Sequence, residues 1–144
     1  MDASAISQII FLIILLILSA FFSSAETALT TVNKIRMRTL ADDGNRRAER
    51  VLRITDDSHK MLSAILIGNN IVNLSASSLA TTLAIKLWGS VGAGIATGIL
   101  TFLILVFGEI SPKTFATLYA DQISIAYSGI IDFLMKILTP VIFL

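Results

Sequence analysis

The feature that most constrains this chain is a run near its start, residues 5–22, with IIFLIILLILSAFF at its heart and no charged side chain. A helix of about 20 such residues crosses the roughly 30 Å of hydrocarbon in a bilayer. Two similar runs follow over residues 61–88 and 90–107, and a fourth apolar stretch fills residues 123–144. Only 15% of the 144 residues are charged, against about 25% in soluble domains. That is too few to coat a water-soluble globule, and the mean hydropathy of +0.84 agrees. A soluble enzyme and a disordered segment are excluded. The chain has no cysteine, so disulfides and thiolate metal sites are excluded too. The first run is not a signal peptide: the chain opens Met1-Asp2 and has no Lys or Arg before Lys34. A retained spanning helix is expected over about 5–30.

The placement of charge orients the runs. Eight of the eleven basic residues lie between positions 34 and 60, mixed with Asp42, Asp43, Glu49, Asp56 and Asp57. The turn signal Asp42-Asp43-Gly44-Asn45 divides this stretch into two expected short helices, 33–41 and 46–54. An ordinary solvated loop is one reading. The better one is a helical hairpin over about 33–56 lying along the membrane. Ile35, Met37, Leu40, Val51, Leu52 and Ile54 would face its apolar side, and the basic groups would face anionic headgroups. A short loop this basic belongs in the cytoplasm. The N-terminus and the tight connection Lys86-Leu87-Trp88-Gly89-Ser90 are then outside, and residues 109–113 lie near the cytoplasmic side. So short a connection forces two antiparallel spans, about 61–87 and 90–110, with Trp88 at an interface.

The last stretch, about 122–144, is long enough to span, but Asp132 and Lys136 stand mid-block on one helix face with Pro140 beyond. A charged pair at mid-membrane is costly. A helix near the cytoplasmic interface is expected, with a fourth span as the alternative. The chain stops at Phe143-Leu144 without a polar tail, as expected of a piece whose cytosolic portion is missing.

Polar residues inside the apolar runs carry the functional reading. Asn69, Asn73 and Ser77 stand four apart and line one helix face. Asn in a bilayer either bonds to a neighbouring helix or lines a polar cavity. A ladder of three fits a cavity or ligand site better than it fits interhelical bonding. The third run closes with Gly108-Glu109-Ile110-Ser111-Pro112-Lys113. Pro112 has no N–H for the Gly108 carbonyl, so a broken helix is expected, with a free carbonyl beside the Glu109 carboxylate. Broken membrane helices build cation sites this way. The competing reading is an ion pair between Glu109 and Lys113. At the end of the first run, Ser23 or Ser24 either adds a hydroxyl to this site or permits close packing, with Glu26 capping. Amides, hydroxyls, a carbonyl and one carboxylate are all hard oxygen ligands. They suit Mg²⁺, Ca²⁺ or Na⁺ and not Zn²⁺ or Cu²⁺. The only histidine, His59, lies outside the group. Ser90, Gly94 and Gly98, four apart, form a small-residue face for a homodimer or for packing within the protomer.

Three motifs in order, Phe-Phe-Ser-x-x-Glu-Thr-Ala at 21–28, Gly-Asn-x-x-x-Asn at 68–73 and Gly-Glu-x-x-Pro-Lys at 108–113, resemble the transmembrane domain of the CorC and CNNM (cyclin M) family. The resemblance covers essentially the whole chain. It implies an all-α membrane protein of three spans plus cytoplasmic-side juxtamembrane helices, assembled as a homodimer in a plasma membrane, here a bacterial inner membrane. It implies export of Mg²⁺, with Na⁺ as the exchanged ion. The ion ligands it implies are Ser23, Asn69, Asn73, Ser77, Gly108 and Glu109, with Pro112 kinking the third helix. The family's cytosolic CBS-pair domain binds ATP and is absent from this stretch, so no nucleotide site is expected here. Nucleic acid is not an expected partner. A Mg²⁺ sensor that regulates another transporter is the alternative. With no His–Asp–Ser set and no carboxylate pair, an enzyme is not expected.

Overall fold

A computed structural model describes residues 3–142 and is all-helical over them. Met1-Asp2, before the first expected helix, and Phe143-Leu144, at the end of the last, lie outside the described residues. The order is α1 (Ala3–Thr31), α2 (Lys34–Asp42), α3 (Arg46–Asp56), α4 (Ser58–Leu103), a π-helical segment (Ile104–Ile110), α5 (Ser111–Leu118) and α6 (Ala120–Ile142). Four stretches are long and apolar enough to cross a membrane: Ala3–Thr31, Ser58–Ile95, Thr97–Leu118 and Ala120–Val141.

The hairpin forms where its caps place it. Asn33 and Asn45 start α2 and α3, each side chain accepting from a backbone N–H three residues on, Arg36 and Ala48, at 3.1 Å. Between them Gly44 takes φ 94, a left-handed value suited to glycine. Asp57 caps α4 in the same way. Met37, Val51 and Ile54 are buried, and Leu40 and Leu52 are half-buried beside them. They pack on Leu29, Met61, Ile65 and Ile131 of the bundle itself. The apolar side of the hairpin is therefore spent on the protein's own helices. Ile35 departs from expectation and is 76% exposed.

α1 and the first limb of α4 run antiparallel along their length. Three contacts fix the register. The Ser19 hydroxyl donates to Asn73 Oδ1 at 2.8 Å. The Phe22 ring lies over Gly68, where an added Cβ would stand 2.6 Å from it. Lys86 Nζ donates to Ser4 Oγ at 3.1 Å. The chain then reverses at Gly89, whose φ 72 and ψ −176 belong to a region that only glycine enters freely. Asn73 and Glu109 touch across that reversal. A straight helix would hold them about 54 Å apart.

The third helix differs from expectation at Pro112. It is not broken, and it runs on through residue 118 in helical geometry, with Ser111 at φ −64 and ψ −46. Its register slips instead, and the Ser111 N–H reaches Val106 O, five residues back. The missing donor at 112 falls opposite the Phe107 carbonyl in this wide register and opposite the Gly108 carbonyl in the ordinary one. A widened turn accommodates a proline without a clash. Pro112 itself sits in the first turn of α5, where an N–H is least needed.

α6 is tied to the hairpin at two points. Asp121 accepts from the Asn33 N–H at 2.9 Å and from Arg36 at 3.1 Å. Asp132 accepts from Arg53 at 2.7 Å and lies 3.5 Å from Lys136.

Candidate cation-binding site

The antiparallel register turns a sequence pattern into a site. Ser19 and Asn73 meet directly. One turn along, toward the hairpin, Ser23 on α1 and Asn69 on α4 must lie at one common level, about 6 Å away. The Ser23 hydroxyl and Asn69 Oδ1 are both buried, and neither has a hydrogen-bond partner. A buried oxygen without a partner costs roughly 1–3 kcal/mol and calls for a physical reason. Two at one level of a bundle are candidate ligand atoms.

The π segment closes the group. Gly108 is buried against α1, and a Cβ there would stand 3.1 Å from Ser19 Oγ. Glycine at 108 therefore lets the segment approach. Next to it, Glu109 Oε1 accepts from Asn73 Nδ2 at 3.5 Å, a long contact. Glu109 forms no ion pair with Lys113 among the described residues. The Glu109 carboxylate, the Asn73 amide, the Ser19 hydroxyl and the Gly108 backbone thus meet between α1, α4 and the π segment, one turn from Ser23 and Asn69.

The alternatives left open by the sequence separate here. The Ser24 hydroxyl donates back to its own helix, to Ala20 O at 2.8 Å and Phe21 O at 3.0 Å. The Ser23 hydroxyl is the one left over. Ser77, on the Asn69–Asn73 face, is exposed and stands apart from the group. Gly94 and Gly98 face open space, with nothing within 4 Å of an added Cβ, so they do not serve packing inside the protomer. Ser19 is the residue the sequence reading missed. Its signal was there: it is the only polar residue between Gln8 and Ser23, one helical turn before Ser23.

Residues 10–144 match the family described as Cyclin M transmembrane N-terminal domain. The chain belongs to the CorC/CNNM family. A UPF0053 protein of Haemophilus influenzae is 46% identical over 100% of this chain and 34% of its own length. The UPF0053 inner membrane protein YfjD of Escherichia coli is 42% identical over 88% of this chain and 30% of its own length. A protein of Haemophilus influenzae named polyamine export protein is 26% identical over 93% of this chain. This CNNM domain spans about a third of the length of the curated relatives it matches. It is a membrane protein, and its helices hold the candidate site within the bundle.

Proposed function

We propose that this domain forms the membrane pathway of a cation exporter, with Mg²⁺ as cargo and Na⁺ as the exchanged ion. The observation that carries the reading is the pair of partnerless buried oxygens, Ser23 Oγ and Asn69 Oδ1, one turn from Asn73 and Glu109. Mg²⁺ binds through one or two carboxylates and keeps several waters. One carboxylate with neutral oxygens around it fits that habit. Glu109 supplies the counter-charge, and Ser23, Asn69, Asn73 and the Gly108 carbonyl supply neutral oxygens. Asn73 now turns its Nδ2 toward Glu109. An arriving cation repels that group and favours the amide rotated by half a turn, with Oδ1 toward the ion. Ser77 lies one turn outward on the same α4 face and serves the path beyond the site. The bundle works as a homodimer in a plasma membrane with the N-terminus outside and the basic hairpin inside.

The test is flux in liposomes holding the full-length protein, with wild type compared with Glu109→Gln. Mg²⁺ flux in the wild type and its loss in the variant are expected. Equal flux in both would remove Glu109 from the pathway. Binding without flux would make the domain a sensor. A relative named for polyamine export gives a second cargo, an organic polycation, and spermidine flux measured alongside Mg²⁺ decides between them.

A further inference from the structure

Arg46, Arg50 and Arg53 recur at spacings of four and three and share one face of α3. With Glu49, Asp132 and Lys136 they line a groove of about 520 Å³ between α3 and α6. Two of its cations are committed, since Arg53 and Lys136 both reach the Asp132 carboxylate, at 2.7 and 3.5 Å. Arg46 and Arg50 join no ion pair among the described residues. Their placement is electrostatically poor. Arg46 opens α3, where the helix dipole disfavours a cation, and it stands four residues from Arg50, like charge on like. Arg50 is nevertheless held close against α6. Its Nη1 would lie 2.9 Å from a Cβ on Gly129, so glycine there makes room for the guanidinium.

α6 presents three faces, since successive residues turn by about 100°. Ser124, Ser128, Ile131 and Met135 are buried in the bundle. Gly129, Asp132 and Lys136 face the arginines. The adjoining face carries Ile130, Phe133 and Ile137, exposed by 53%, 62% and 54%. A cationic groove bordered by a bare apolar face matches an amphiphile with a phosphate head and hydrocarbon tails. We propose that the α3–α6 groove binds the headgroup of an anionic phospholipid. Arg46 and Arg50 fork onto the phosphate, and the acyl chains lie along the Ile130, Phe133 and Ile137 face. Glu49 and Asp132 offset two of the four cations, which suits one phosphodiester and disfavours a polyphosphate.

The test uses the full-length protein purified in detergent with mixed phosphatidylglycerol and phosphatidylcholine, read by native mass spectrometry. Wild type is expected to retain phosphatidylglycerol preferentially. Each of Arg46→Ala and Arg50→Ala should cut that preference about fivefold. Gly129→Ala, which pushes the Arg50 guanidinium outward, should also weaken it. Arg47→Ala removes an equal charge outside the groove and should change it little. Equal retention of both lipids by wild type overturns the proposal. So does an equal loss in Arg47→Ala, which would mean diffuse attraction. Displacement of the lipid by equimolar inorganic phosphate would assign the groove to a free anion instead. If a variant fails to fold, Arg50→Lys keeps the cation without the fork, and an unchanged preference there would remove the forked contact.

Discussion

Ser23 and Ser24 are adjacent and chemically identical, yet the helix assigns them different work. Ser24 returns its hydroxyl to the backbone of α1, and Ser23 holds a buried one with no partner. Ser23→Ala is expected to leave thermal stability unchanged or raise it by up to about 1 kcal/mol, because an unsatisfied group is removed. The same change should weaken Mg²⁺ protection against proteolysis severalfold, whereas Ser24→Ala should leave that protection intact. Matching losses in the two variants would tie the effect to packing. Gly68→Ala tests the register that brings these groups level. Its Cβ would meet the Phe22 ring at 2.6 Å, and a loss of about 1–3 kcal/mol is expected in denaturant melts. The amide ladder and the Glu109 motif were legible in the sequence because polar side chains in an apolar run are conspicuous. The choice between Ser23 and Ser24 was not legible, because it depends on which way each Cβ points once α1 meets α4. Ser19 went unread for a related reason. A single serine in a membrane helix matters only through its partner, and Asn73 is 54 positions away.

At the scale of elements, the helices announced themselves well. Asn33, Asn45 and Asp57 each stand just before a helix that they cap, and Gly44 stands at the turn between two of them. The register slip was harder to read. Proline in a helix predicts trouble at the carbonyl four residues back. Whether the chain answers with a kink or a widened turn is settled by packing, and here Gly108 is pressed against α1. Pro112→Ala restores a donor and allows an ordinary α-helical register. That change would rotate Gly108 and Glu109 away from Asn73. The variant is expected to be no less stable in detergent yet to bind Mg²⁺ more weakly, with a raised midpoint in proteolytic protection. An unchanged midpoint would show that the wide register is independent of the proline.

For the whole molecule, the question the sequence posed most sharply was the role of its final helix. Length and apolarity alone make α6 a fourth candidate span. Its ties run sideways, however: Asp121 and Asp132, three turns apart, both bond to the basic hairpin. A helix held at both points by the hairpin shares that element's depth, and a hairpin lying along the membrane surface would carry α6 to the interface with it. The Arg53 guanidinium of the Arg53–Asp132 pair is 62% exposed, so water screens the pair and it adds about 0–1 kcal/mol. Asp132→Asn should therefore barely move the melting temperature. Labelling intact cells that express Arg47→Cys and Ser90→Cys settles the orientation. Only the cysteine at 90 should react with an impermeant reagent applied from outside, and the reverse pattern would invert the topology. The reversal at Gly89 bears on how such a protein is made. Between Met61 and Gly108 the only formal charge is Lys86, beside a turn one residue long. A translocating machine would meet two apolar helices already folded against each other, with a single ammonium group to carry across. The pair can enter the bilayer as one insertion event, without a hydrophilic loop to thread, and biogenesis would then hinge on the one residue whose backbone makes that fold-back possible.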